Sequence, residues 1–251
     1  MEKQTPKPLG YTVDDAEITK FAAMAEEWWD PNGKFKPLHK FNPVRLEFIR
    51  DRLCIKFGKD IKAIKPLQGL RILDIGSGGG LLAEPLTRMG ATVIGIDATE
   101  RSVQIAKAHA SAQELEIDYR FTTAEDLVAA GEQFDAVMNM EVIEHVANVG
   151  AFLEASAALV KPGGLMFMAT LNRSAKSYAL AIIGAEYIMR WLPRGTHDWK
   201  KFLKPSEIAA HLRKLNMQIV ELTGVVYSPL NGTWNLNAKD LGVNYMLVAE
   251  K

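Results

Sequence analysis

The segment ILDIGSGGGLLAEPL carries Gly76, Gly78, Gly79 and Gly80 between an apolar run with strand character and an amphipathic run with helical character. Glycine lets the backbone turn sharply and approach a ligand, and the following helix start offers N–H groups to an anion. At the end of the next apolar run, VIGID, stands Asp97, placed to accept hydrogen bonds from ribose hydroxyls. Together these features predict an adenosine-containing ligand at a topological switch point. A dinucleotide fingerprint, G-x-G-x-x-G, would need a third glycine where the chain has Leu81. No Lys-Ser or Lys-Thr follows the loop, so a P-loop is unsupported as well.

A second group of chemistry-bearing residues lies in MEVIEH. Glu141, Glu144 and His145 stand at i, i+3 and i+4, which is one face if a helical turn begins there. A phenol with a pKa near ~10 is mostly protonated at neutral pH, so an acceptor hydroxyl needs activation. Two chemistries fit the residue types. The three side chains could hold Mg²⁺ or a similar ion against a catecholate oxygen, or His145 could act alone as general base. A pair of helix-capping glutamates with a packed histidine is the structural alternative. One imidazole with two carboxylates suits a hard cation or zinc and does not choose between them.

These residues need strands and helices to position them. RILDI, TVIGID, IDYRF, FDAVMNM and GLMFMAT are predicted strands, with amphipathic segments beginning at Leu81, Ser102, Ala124 and Val149 between them. Alternation of this kind implies right-handed crossovers and a doubly wound, mostly parallel α/β sheet. A helix over 205–215 and two last strands, MQIVELTG and NYMLVAE, bring the expected count to seven, the final pair antiparallel because no crossover helix separates them. Ahead of the sheet, a helix is predicted from Asp14 to Trp29 and a second from Asn42, with Pro43 in its first turn. The expected division is an N-terminal arm and helical lid over 1–66 and a cofactor-binding domain over 67–251 with an insertion at 173–204.

The G-x-G-x-G spacing after Asp74 resembles class I S-adenosylmethionine-dependent methyltransferases, in which Glu125 and Met140 would lie over the same crevice. Further segments narrow the resemblance: WWDPNGKFKPLHKFNPVR, MEVIEHV, LVKPGG, TLNRSAKSYALAIIGAEYI, PRGTHDWKKFLKP and VNYMLVAE. With these the chain resembles the O-methyltransferases of ubiquinone biosynthesis, from about Phe21 to the C-terminus. The resemblance implies that Arg45, Gly76, Gly78, Asp97 and Met140 contact S-adenosylmethionine, and that Glu141, Glu144 and His145 can hold Mg²⁺. It implies polyprenylated phenols and quinols as substrates and other proteins of the pathway as partners. Another small-molecule phenol is the alternative substrate. As a guanidinium, Arg45 suits the carboxylate of the cofactor's methionine moiety.

Trp28, Trp29, Phe35 and Phe41, interleaved with Lys34, Lys36 and Lys40, are expected either as a lid that keeps water from the reacting groups or as a staple for the N-terminal helix. The apolar segment over 177–192, flanked by Arg173, Lys176, Arg190 and Arg194, suits an interfacial helix; reversible membrane contact is expected through 173–195. A buried lid helix is the other reading. His197 and Asp198, which follow, could pair catalytically or in a structural hydrogen bond. Among 251 residues, 30 Lys and Arg balance 30 Asp and Glu, so no overall field recruits nucleic acid. The single cysteine, Cys54, fits a reducing compartment and a buried apolar site. No signal or transit character marks the N-terminus, and the expected location is cytoplasmic, peripheral on the inner face of the membrane.

Overall fold

In a computed structural model the chain is described over residues 12–180, 182, 198–228 and 232–251. Helix α1 (Asp15–Met24) starts where the Asp14 carboxylate accepts the N–H groups of Ala16 and Glu17, and a 3₁₀ turn (Ala25–Glu27) follows. Helix α2 (Lys36–Phe57) begins earlier than the sequence suggests. Pro37 occupies its first turn, and Pro43, expected there, sits inside the helix. A proline costs the ladder one bond, but its fixed φ is helical, and burial of Phe41, Val44, Phe48, Ile49 and Leu53 holds the segment in place. Gly58 ends α2 in the left-handed region at φ +60.

The strands and helices then alternate: β1 (Arg71–Ile75), α3 (Ala83–Arg88), β2 (Thr92–Asp97), α4 (Glu100–Ala112), β3 (Asp118–Phe121), α5 (Ala124–Ala129), β4 (Phe134–Met140), α6 (Val149–Ala158) and β5 (Val160–Leu171). The one-turn α7 (Ala175–Ser177) and α8 (Pro205–Lys214) precede β6 (Gln218–Ser228), β7 (Thr233–Asn237) and β8 (Asn244–Glu250). The sheet order is β3-β2-β1-β4-β5-β8-β6-β7, with β3 to β5 parallel and β8 antiparallel to both β5 and β6. All seven expected strands are present. An eighth, β7, extends the sheet as a hairpin with β6, built from VVYS and TWNLN in the connector that lacked helical period.

Alternate residues of each strand serve two cores. Ile72, Val93, Met138 and Phe167 pack with α2, α3 and α4. Leu73, Ile94, Val137 and Met166 pack with α5, α6 and α8. Cys54 is buried in the first of these cores. The strand order reverses between β1 and β4, so the carboxyl ends of β1, β2 and β4 open onto one crevice. Most of the apolar segment over 177–192, and His197, lie outside the described residues. Among the described residues no helix is long and apolar enough to cross a membrane.

Candidate active site

The crevice is a cavity of about 580 Å³. Beyond β1 the chain turns through Gly76 at φ +70 and Gly78 at φ +53. A Cβ on Gly76 would stand 2.7 Å from Val142 Cγ2, and one on Gly78 would stand 2.4 Å from Trp28 Cζ2. Both positions therefore need glycine for conformation and for room. Gly76 lines the cavity, whereas Gly78 lies under the Trp28 ring and donates its N–H to Asp97 Oδ2 at 2.9 Å. Thr99 N–H donates to the other oxygen, Oδ1, at 2.7 Å. Two backbone donors thus fix the Asp97 carboxylate on the cavity wall, with lone pairs left for hydroxyl donors. Met140, at the end of β4, is buried and lines the same space.

The deepest wall is charged and incompletely bonded. Arg45 is 4% exposed and donates Nη2 to Asn42 Oδ1 at 2.9 Å, with its guanidinium 5.1 Å from the Phe41 ring centre. Its Nε has no hydrogen-bond partner, and Asp74 Oδ2 and Glu141 Oε1 are also buried without one. Burial pushes the Asp74 carboxyl up to about 7, against the pull of Arg45. Burial also raises Glu141, and the neighbouring Glu144 raises it further by its charge and a shared hydrogen bond. Buried groups left unsatisfied in this way are costly unless a ligand completes them. A guanidinium edge beside two carboxyl groups is complementary to a zwitterion, with its anionic end on Arg45 and its cationic end on Asp74 and Glu141. Glu125 adds another buried orphan, Oε2, while its Oε1 accepts the Thr12 N–H at 3.0 Å.

Glu141, Glu144 and His145 do not share a helix face. Glu141 takes φ +57, and the turn after it, Ile143–His145, is 3₁₀. Glu144 is buried and accepts from Thr170 Oγ1 at 2.8 Å. The His145 ring turns the other way, its Nδ1 lying 3.1 Å from Glu17 Oε2 of α1, with the Phe21 ring edge-on at 5.0 Å between centres. That contact, with Lys201 on the other oxygen at 3.1 Å, holds the Glu17 carboxyl down to about 2. Among the described residues no group of three His, Cys, Asp or Glu side chains is gathered to hold a metal ion. The donor set as placed does not fit the cation that the sequence allowed. Glu17 could not be singled out from the sequence, since an acid on a charged helix face looks like a solvated one.

The two tryptophans divide the readings made of them. Trp28 lines the cavity, stacks on Phe35 at 3.7 Å and donates Nε1–H to Ser102 Oγ at 3.2 Å, so it roofs the crevice. Trp29 stacks on His109 of α4 at 3.5 Å and donates to Gly79 O at 2.9 Å, which makes it a staple. Phe41 packs in the core and faces Trp234 at 5.2 Å. Of the three lysines only Lys34 lines the cavity, paired with Glu27 at 2.6 Å. Beyond the polar wall the cavity becomes apolar, lined by Leu171, Val225, Trp234 and Val243 from the far half of the sheet and by Leu180. Asp198 Oδ1 accepts the Lys200 N–H at 3.0 Å, starting the turn Trp199–Lys201.

The comparisons with known proteins give a family and a shared fold. A family model described as a methyltransferase domain matches residues 73–168. The chain is 55% identical over 240 residues to a ubiquinone biosynthesis O-methyltransferase of Brucella ovis, covering 96% of both chains. It is 57% identical to the protein of that name from Dinoroseobacter shibae, covering 94% of this chain and 95% of that one. Among solved structures it is similar to a magnesium protoporphyrin IX methyltransferase from Synechocystis with bound S-adenosylmethionine, at TM-score 0.62 and 17% identity over 98% of this chain and all (100%) of that one. A plantazolicin methyltransferase with bound S-adenosylhomocysteine gives TM-score 0.60 at 17% identity, over 94% of this chain and 98% of that one.

Proposed function

The chain belongs to the ubiquinone biosynthesis O-methyltransferases, and on that premise we propose that it transfers the methyl group of S-adenosylmethionine to a phenolic hydroxyl of polyprenylated hydroxyphenol and demethylubiquinol intermediates. The observation that carries the reading is that buried, incompletely bonded Arg45, Asp74 and Glu141 line the same cavity as an apolar half. The cofactor's carboxylate pairs with Arg45, its ammonium with Asp74 and Glu141, its ribose hydroxyls with Asp97, and its adenine lies by Glu125. Gly76 and Met140 shape the crevice floor, while Gly78 acts indirectly, by orienting Asp97 and seating Trp28. Residues 1–66 serve as arm and lid, and 67–251 as the cofactor-binding domain with its insertion at 173–204.

In the metal-free form of this mechanism His145 takes the proton from the phenol as the oxygen attacks the methyl carbon in line with the departing sulfur. Three observations support this form: the 3₁₀ turn, the Thr170 bond to Glu144 and the Glu17 bond to His145. The last of these takes the imidazole to α1, while the Glu141 and Glu144 carboxyl groups stay together. Catalysis then comes from orientation, exclusion of water and proton removal, with no covalent enzyme intermediate. A short prenylated demethylubiquinol should be methylated with a lower KM than the same catechol without its tail. Equal KM values would favour a tail-independent phenol as the substrate.

The prenyl tail also gives the amphipathic stretch 173–195 a purpose, as a reversible contact with the inner membrane face through which substrate is collected and other enzymes of the pathway are met. Liposome flotation tests it: Ile183→Asp should float less than the parent, and equal flotation would argue against insertion there.

A further inference from the structure

The hairpin of β6 and β7 contributes nothing to the charged wall, yet it borders the apolar part of the cavity. Tyr227 and Trp234 stand directly opposite each other in its register, so their side chains project from one face, which Val225 shares two residues earlier. All three line the cavity. The Trp234 ring lies 5.3 Å from that of Tyr227 and 5.2 Å from that of Phe41 of α2, centre to centre. Phe41 stands one helical turn before Arg45, whose guanidinium is 5.1 Å from its ring. A continuous aromatic wall thus leads from the arginine of the charged wall to the edge strand of the sheet. On that strand Thr233 and Asn235 are exposed, whereas Trp234 between them is half-buried against the cavity. Aliphatic Leu171 and Val243 complete the apolar lining, held together by Asn172, which donates Nδ2–H to Leu241 O at 2.8 Å and its backbone N–H to Val243 O at 2.7 Å.

We propose that Trp234, flanked by Phe41 and Tyr227, is the specificity-determining residue for the prenyl tail, its indole face receiving the isoprene units nearest the quinol ring. Each isoprene unit is flat at its double bond and branched by a methyl group, a shape that lies against an aromatic plane. A rigid ring offers that plane as a large apolar area in a fixed position. A catechol without its tail leaves the wall facing water, so the enzyme discriminates by the apolar area that the tail covers. The hairpin therefore does more than extend the sheet: it carries the residue that reads the tail, on the same wall that reaches Arg45. This assignment rests on the proposed methylation of prenylated quinols.

The experiment measures kcat/KM for a short-chain demethylubiquinol and for the same quinol without its tail, in the parent and in Trp234→Phe, Trp234→Leu and Trp234→Ala. The quantity read is the ratio of the two values, which a general loss of activity does not move. The ratio should fall in the order Phe, Leu, Ala, reaching a loss of ~10- to 100-fold in Trp234→Ala, the range set by small apolar groups in a pocket. Trp234→Phe keeps an aromatic face and should retain most of the parent ratio. Calorimetric titration with S-adenosylmethionine identifies the folded variants, and the Phe and Leu variants carry the test if Trp234→Ala does not bind the cofactor. A parent that prefers the tailed quinol, beside variants that lose activity equally on both substrates, would show that Trp234 only packs the hairpin on α2, and overturns this assignment alone. A parent with equal kcat/KM for both quinols overturns the prenylated substrate and the role of Trp234 together. A parent that binds the cofactor and methylates neither quinol overturns the proposed function as well.

Discussion

The indole of Trp28 rests on the backbone of Gly78, close enough that a Cβ there would stand 2.4 Å from Cζ2. The same glycine, at φ +53, presents its N–H to Asp97. The Trp28 roof of the cavity and the Asp97 carboxylate thus meet at one residue. Gly78→Ala should weaken S-adenosylmethionine binding by at least ~10-fold, because the left-handed conformation alone costs a side chain roughly 1–2 kcal/mol and the indole must also move. Calorimetric titration checks this; affinity equal to the parent would show that the ring does not depend on its seat.

Arg45 is buried and forms no ion pair among the described residues. If it takes the cofactor's carboxylate, Arg45→Ala should raise the Kd for S-adenosylmethionine by ~10- to 100-fold, the usual worth of a charge-assisted hydrogen bond. Arg45→Lys should recover only part, since a lysine lacks the fork. The comparison ligand is an analogue lacking the carboxylate, whose affinity should be the same in all three proteins.

The carboxyl of Asp74 is raised to about 7 by burial. The folded, unliganded enzyme therefore binds a proton there that the unfolded chain releases near pH ~4, so stability should fall as pH rises from about 4 through 7. An ammonium placed beside Asp74 favours its ionised form, so binding the cofactor near pH 6.5 should expel protons into the buffer. Titration in buffers of different ionisation heat measures the count. Asp74→Asn should abolish most of it, and an unchanged count would place the ammonium elsewhere.

Turnover should survive removal of divalent cations. Two of the three donors expected to gather a metal, Glu144 and His145, are bonded to Thr170 and Glu17, so rates in EDTA and in Mg²⁺ should agree within about twofold. Strict Mg²⁺ dependence would mean that substrate binding rearranges the turn Ile143–His145.

Strand periodicity made the sheet legible: β1, β2, β4 and β8 begin and end where the apolar alternation does. The glycine loop and Asp97 were equally plain, because few backbones other than a tight turn require glycines so spaced. The start of α2 was hidden because Pro43 mimics a first turn, whereas tertiary burial of Phe41 and Val44 carries the helix past it. β7 was hidden because TWNLN buries little and is ordered by pairing with β6. The cluster at the end of β4 was found by residue type but not by geometry: a positive φ at Glu141 and a 3₁₀ turn replace the expected α-helical turn, keeping Glu141 beside Glu144 while His145 meets Glu17 of α1. Glu17 depends on a contact across 128 positions, which no local pattern encodes.

The most direct measurement is transfer of a labelled methyl group from S-adenosylmethionine to a short-chain demethylubiquinol by the purified protein. Labelled O-methylated quinol, formed stoichiometrically with S-adenosylhomocysteine, is the expected result. Tight cofactor binding with no methylated quinol or phenol product would contradict it and leave only the methyltransferase fold.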